Sequence, residues 1–370
     1  MPNSPPVSLV AMEARLRELL PAALYATAWT NPSPETLTQV FEHLRTLQYI
    51  LLDYVPRHIS TPLTEPGAVE FEWEQGTLMF TDLAGFTRLL EANVVQGGPG
   101  AEMVLSVLNG YFAGMIEIIS KSSGSLLEFT GDAMLVQFRA DRQRNDCAKA
   151  IRSGLRMQRA MAKFTHIETP QGNLSLGMRI GIHTGRFLTA HIGTPKRMEH
   201  VLLGSAVQRS KRAEGAGTVG RVCVTETIAT ELAEQFRFEA GPPGYMLVMD
   251  DFSEEELGEY EIVASRNRKG HTILFDRSVP GLIHEIGETL KKVEPLASYL
   301  PSSILTLLVE SASRREIQPE FVDLVAMFVN ILGLSERIEE LPPEEQVNVV
   351  VYFSRLFARI NAAVLEQGGV

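Results

Sequence analysis

Apolar residues recur at helical spacing over residues 7–20 and 35–59, and the polar, proline-rich stretch TNPSPET separates the two runs. TPLTEPGAVE, residues 61–70, reads as a linker. The apolar run GTLMFTD, residues 76–82, has the length of a buried strand, and a helix is expected from Phe86 until GGPG at 97–100 interrupts it. A long amphipathic helix follows over 101–121. SLLEFTGDAMLVQF, residues 125–138, reads as two strands joined by a tight turn at Gly131 and Asp132. A further amphipathic helix is expected over 144–164, and two strands within LSLGMRIGIHTGRFLTAHIG, residues 174–193. EHVLLG is one more strand, SAVQRSKRAEGAG a helix ending in glycines, and RVCVTETIATEL a strand followed by a helix. Beyond residue 240 the acidic stretch DDFSEEELGEYE is expected to be solvated. HTILFD reads as a strand, and 281–315 as helical.

The order β-α-β-β-α-β predicts an α+β, ferredoxin-like sheet of the split βαβ type. It also divides the chain: an N-terminal helical region and linker over 1–66, a central domain over 71–276, a helical linker over 277–320, and a last segment over 321–370.

The chain from about residue 298 repeats the stretch that starts at 53 and runs into the central domain. DYVPRHIS at 53–60 resembles SYLPSSIL at 298–305, and GTLMFTDLAGFT resembles DLVAMFVNILGLS. YFAGMIEIISKSSG at 111–124 resembles LFARINAAVLEQGG at 356–369. Pro56 and Pro301 are 245 residues apart, as are Gly124 and Gly369. Any one pair could be a chance likeness of amphipathic segments, but three in order at a nearly constant offset point to a second copy that is only begun. In that copy Asn330 stands where the first has Asp82.

Composition narrows the function. A formal net charge of −11 and a hydrophobic content of 45% describe an acidic globular chain, which argues against general binding of nucleic acid or anionic membranes. The two cysteines, Cys147 and Cys223, have no metal-ligand spacing. The N-terminus lacks the pattern of a signal peptide, and no apolar run approaches the ~20 residues that cross a bilayer. A cytoplasmic protein is the expectation.

The chemistry centres on two carboxylates. Asp82 ends the first strand, and Asp132 sits in the turn between two others. In a split βαβ sheet the first strand is central, so both side chains are expected at one sheet edge. Carboxylates brought together repel unless a cation joins them, and hard oxygen ligands suit Mg²⁺ or Mn²⁺ completed by substrate phosphates. Leu83 to Thr87 open a helix just after Asp82, where Gly85 permits close approach of backbone and the free N–H groups favour an anion. Taken singly, Asp82 reads more readily as a helix cap and Asp132 as a turn residue; their joint placement with RIGIHTG changes that. His183 and His191 lie on strands without ligand partners. GAGTVG at 215–220 follows a helix and precedes a strand, the reverse of a dinucleotide site. Lys196 and Arg197 are read as a surface loop.

FTDLAGFT, LLEFTGDAML, RIGIHTG and HVLLGSAVQRSKR together resemble the class III nucleotidyl cyclases, strongly over residues 71–235 and in part over 299–370. The form FTGDA and the tandem arrangement look most like the soluble, bicarbonate-responsive adenylyl cyclase type, with paired domains C1 and C2. The resemblance implies conversion of ATP, or less readily GTP, to a cyclic nucleotide and pyrophosphate. It also implies two Mg²⁺ or Mn²⁺ ions on Asp82, Asp132 and the Leu83 backbone, and phosphates against Ala84, Gly85, Phe86 and Thr87. Arg212 matches an arginine that stabilises the transition state, with Lys211 beside it. The family's base-selecting positions are altered: Glu128 stands for a lysine, Val201 for Asp or Thr, and Gln208 for Asn. This implies a division of labour, in which the present copy supplies the metal aspartates and a partner supplies the rest of the site, through pseudo-twofold C1–C2 pairing or a homodimer. Glu128 would repel bicarbonate. The alternative is a non-catalytic nucleotide- or effector-binding module.

Overall fold

The computed structural model describes residues 9–55, 64–140, 145–258, 276–312 and 325–369. The expected strand HTILFD lies outside these residues, apart from Asp276. The chain opens with a short 3-10 turn and three helices, α1 (Glu13–Leu19), α2 (Ala22–Thr30) and α3 (Pro34–Tyr54). The central domain then runs β1 (Glu70–Ala84), α4 (Phe86–Val94), α5 (Gly98–Lys121), β2 (Ser125–Thr130), β3 (Ala133–Arg139) and α6 (Asp146–Ala160). It continues through β4 (Ile167–Thr169), β5 (Gly172–Leu174), β6 (Gly177–Thr194), β7 (Arg197–Leu203), α7 (Ser205–Ala216), β8 (Val222–Thr225), α8 (Glu226–Glu231), β9 (Phe238–Ala240) and β10 (Tyr245–Val248). Four helices follow: α9 (Val279–Ala297), α10 (Ser302–Ser311), α11 (Leu334–Glu340) and α12 (Pro343–Glu366).

The main sheet has the order β2-β3-β1-β6-β8-β10-β9, with β7 also paired to β6. β1 is therefore central, antiparallel to β3 on one side and to β6 on the other, as a split βαβ sheet requires. Alternate residues of β1 and β6, such as Met79, Ile180 and Ile182, pack under α5 and α6 in one large core with Tyr111, Met115 and Ile151. Gly131 has φ 67° and Asp132 is not in the left-handed region, which is the sign pattern of a type II′ hairpin turn between Thr130 and Ala133.

Residues 177–194 form one strand, where the pattern predicts two. The glycines that look like breaks serve a different purpose. A methyl group on Gly181 would overlap the backbone of Ala213 and Glu214, and one on Gly185 would lie 3.0 Å from the Ala206 Cβ. These two glycines let α7 lie directly on β6. Gly181→Ala forces α7 off the sheet and should destabilise the domain by about 3 kcal/mol, at the upper end for overpacking. An unchanged midpoint in thermal denaturation would show that this contact is not rigid.

The N-terminal helices and the region after the central domain, separate in the sequence reading, share one core. Leu37, Leu44 and Leu47 of α3 pack with Leu282, Ile286, Leu290 and Val293 of α9, and Leu16, Leu308 and Val309 complete the cluster. The acidic stretch after residue 249 is mostly exposed over its described residues, as expected, and is tied down at a few points. Asp250 and Glu254 pair with Arg159, and buried Leu257 offers its carbonyl to Arg156.

The repeat extends to local geometry. α5 and α12 are both 24 residues long, and their ends are 245 positions apart. At their C-termini the Gly124 N–H donates to the Ile119 carbonyl and the Gly369 N–H to the Val364 carbonyl, both at 2.9 Å. Ser33 caps α3 and Ser278 caps α9, each accepting at 3.2 Å from the N–H three residues on. Gly85 before α4 and Gly333 before α11 are both left-handed. Residues 325–331, which match the first strand, form no strand, and Val325, Phe328 and Leu332 are exposed. By length and composition α5 and α12 are apolar enough to cross a membrane, which the sequence reading did not expect. Each packs one face on the sheet: α5 in the large core, and α12 through Val350 against Leu188, Ala190 and Ile192.

Candidate active site

Asp82 is the third residue from the end of β1, and Asp132 lies in the β2–β3 turn one strand away. Both are half-buried. The Asp132 carboxyl is raised above its usual value, by burial first and also by the charge of Asp82, while its own backbone N–H opposes the shift. The buried Tyr111 hydroxyl beneath them is raised too, mainly by burial and further by both aspartates. The charge of Asp82 therefore reaches Asp132, and both aspartates act on the Tyr111 hydroxyl.

Gly85 follows with φ 95° and caps α4. A side chain there would press within 2.9 Å of the Ser175 carbonyl, so the position requires glycine twice over. No side chain caps α4, which leaves the N–H groups of Phe86 and Thr87 without intrahelical partners. The Leu83 side chain is buried in the core. Two half-buried carboxylates that repel, beside uncapped helix N–H groups, fit a hard divalent cation with an attached polyphosphate. Among the described residues no three His, Cys, Asp or Glu side chains gather as a metal site, so any cation here depends on further oxygens from substrate or water.

The sequence reading passed over Arg179. It is the cross-strand partner of Asp82 on β6, and its guanidinium donates to the Asp82 carboxylate. On its other side, Arg179 Nε lies 3.1 Å from Glu214 Oε1 of α7. Arg179 opens the motif RIGIHTG, but only the register of β1 on β6 shows which carboxylate it meets. His183 in the same motif is buried, bonds Thr225 Oγ1 at 2.9 Å, and is pushed down to about 4 by burial and then by the charge of Arg209. It is a neutral core residue, as expected. His191 contacts the Tyr299 hydroxyl at 2.6 Å. Arg197 is on β7 rather than on a loop, with Nη1 bonded to the Tyr299 carbonyl at 2.6 Å.

The remaining candidates lie on β2, β7 and α7. Glu128 is exposed along β2, but its carboxyl end is crowded. It is raised chiefly by burial, and the Thr130 hydroxyl and the Lys211 ammonium pull it down. The Lys211 ammonium stands 5.6 Å from the centre of the Phe80 ring. Val201 is on β7 beside Leu202, which packs on the cluster of Leu127 and Leu135, and two residues from Glu199, whose carboxyl feels the charge of Glu128. It pairs with Ala190, eleven residues along β6 from Arg179, or roughly 36 Å of strand. There it joins an apolar cluster with Leu334, Ile338 and Val350 of α11 and α12. Gln208 and Arg212 are on α7, half-buried and exposed respectively. Glu339 of α11 accepts from the Ser205 N–H at the start of α7 at 2.5 Å. A cavity of about 710 Å³ lies between the helical unit and the tip of the β6–β7 hairpin, and none of these residues lines it.

The chain is similar to several known proteins. The chain is 26% identical over 184 residues to adenylate cyclase 1 of Rhizobium meliloti (strain 1021), covering 49% of this chain and 27% of that one. It is 27% identical over 195 residues to the adenylate cyclase of Anabaena cylindrica, covering 51% and 35%, and 26% identical over 164 residues to adenylate cyclase type 10 of Oryctolagus cuniculus, covering 43% and 10%. The chain thus spans about a third or less of the length of these relatives. A solved structure, the adenylyl cyclase CyaB from P. aeruginosa, is 24% identical with a TM-score of 0.43, covering 51% of this chain and all of that one. The profile of the adenylate and guanylate cyclase catalytic domain matches residues 70–255, half of the chain, and the chain belongs to that family.

Proposed function

We propose that this chain is the metal-bearing half of a nucleotidyl cyclase that converts ATP, or less readily GTP, to the 3′,5′-cyclic nucleotide and pyrophosphate. The observation that carries the proposal is the placement of Asp82 near the end of β1 and Asp132 in the turn of the adjoining β2–β3 hairpin, beside the uncapped start of α4. Asp82 and Asp132 would hold two divalent cations, which supply Lewis-acid stabilisation of the phosphates and lower the pKa of the ribose 3′-hydroxyl. The N–H groups of Phe86 and Thr87 face the phosphate chain, and Gly85 keeps the approach open. The 3′-hydroxyl gives its proton to solvent water as its oxygen bonds to the α-phosphorus, the bond to the bridging oxygen breaks, and pyrophosphate leaves with that electron pair.

Of the base-selecting positions, Glu128 on β2 precedes Asp132 by four residues, but Val201 is set apart from the aspartates. Val201 lies far along β6 from Asp82, under α11 and α12. The repeated helices and caps support a second copy of the domain, whose Asn330 stands where the metal aspartate would be. In this reading the second copy supplies base selection, and the first copy's own Glu128, Val201, Gln208 and Lys211 are free to drift. Glu128→Lys should therefore leave the ATP/GTP preference unchanged in the protein at its full natural length. The assay is cyclic-nucleotide formation with Mn²⁺ and each nucleotide. A switched preference would place catalysis in the first copy's own pocket, and no cyclic product from either nucleotide would overturn the enzyme reading. The second reading, a non-catalytic nucleotide-binding module, draws on one observation: Asp82 is already neutralised by Arg179.

A further inference from the structure

Arg179 is shared by two carboxylates from different elements. Its Nη2 donates to Asp82 across the β1–β6 ladder, while its Nε faces Glu214 Oε1 of α7 at 3.1 Å. The second contact is an ion pair without hydrogen-bond geometry: both atoms are buried, and neither has a hydrogen-bond partner. Glu214 is 7% exposed, held against Gly181 where α7 meets the sheet. A carboxylate so placed is costly unless a cation stays beside it. Arg179 and Glu214 thus keep unused bonding capacity directed at each other, while Asp82 holds the arginine's other edge.

We propose that Glu214 is the positioning residue that retains Arg179 when Asp82 gives it up to a divalent cation, a role that rests on the cation site proposed above. Asp82 cannot offer the same oxygens to a cation and to Arg179. When the cation enters, the guanidinium loses its bond to Asp82. With Glu214 present it turns its Nε edge into a full hydrogen bond and stays paired. Without Glu214 it would be left half-buried and unpaired, so it would compete with the cation for Asp82. The arginine is then kept at the cradle, and the exchange costs little.

The test is Mn²⁺ alone, titrated into the 370-residue chain and followed by the electron paramagnetic resonance of free Mn²⁺. Glu214→Gln should weaken Mn²⁺ binding about tenfold or more, the scale of lost outer partners at metal sites. Glu214→Asp should retain most of the affinity. Arg179→Gln in the Glu214→Gln background should restore binding, because no arginine then competes. Unchanged affinity in Glu214→Gln, or a loss that the double variant does not recover, overturns the proposal; the latter is what a role only in seating α7 would give. Binding that is lost in Asp82→Asn but untouched in Glu214→Gln removes Glu214's role and leaves the cation site standing. Binding that does not depend on Asp82 overturns both.

Discussion

Asp82→Asn and Asp132→Asn should each lower cyclic-nucleotide formation about a thousandfold or more in the protein at its full natural length, with little change in thermal stability. The size follows from what the carboxylates are asked to do. Charge stabilisation by a correctly placed cation contributes several kcal/mol, and each 1.36 kcal/mol is a factor of ten in rate. An amide keeps the shape of the side chain but not the charge that holds the cation. The fold should survive for local reasons. Asp132 sits in a turn whose geometry is set by Gly131, and neutralising it removes a repulsion with Asp82. Neutralising Asp82 leaves Arg179 with Glu214 as a partner. Cyclic-nucleotide assays beside thermal melts check both halves of the prediction. Full activity in both variants would remove these residues from the site.

The 370-residue chain alone should be nearly inactive, about a hundredfold below a form extended through a whole second copy. Two such chains could set Asp82 and Asp132 of one against Glu128, Val201, Gln208 and Arg212 of the other. The base would then meet a carboxylate and an aliphatic group. Gln208 is one methylene longer than asparagine, and a positioning group misplaced by ~1 Å can cost about a hundredfold in rate. Residues 325–369 do not supply the altered groups: residues 325–331, which match the first strand in sequence, form no strand, and α11 and α12 pack on the far part of β6. Equal rates from the short and long forms, measured with Mn²⁺ and ATP or GTP, would refute the division of labour.

How far the sequence could be read depended on whether the signal was local. Asp82 and Asp132 were legible because an apolar run fixes a strand, a Gly-Asp pair fixes a turn, and the split βαβ order makes the first strand central. The repeat was legible as an offset, and the caps at Ser33 and Ser278 carry it further back than residue likeness did. Gly181 and Gly185 misled, because a glycine that admits a helix looks the same in sequence as one that ends a strand. The pairing of Arg179 with Asp82 needed a strand register, and that of Arg179 with Glu214 needed the seat of α7 as well. The shared core of α3 and α9 joins segments more than 200 residues apart, beyond the reach of any periodicity. Val201 and Glu128 answer to one family pocket; Glu199, two residues from Val201, feels the charge of Glu128, but that Val201 itself packs with α11 and α12 could not be read from the sequence.

The central claim is that Asp82 and Asp132 hold the cation that seats a nucleoside triphosphate. Crystals of the chain soaked with MnCl₂ and 3′-deoxy-ATP, which lacks the attacking hydroxyl, would test it through the anomalous signal of manganese. The account predicts manganese between the carboxylates of Asp82 and Asp132, with phosphate density against the N–H groups of Phe86 and Thr87. Manganese and nucleotide found together at Glu128 and Lys211, with none at Asp82, would contradict it.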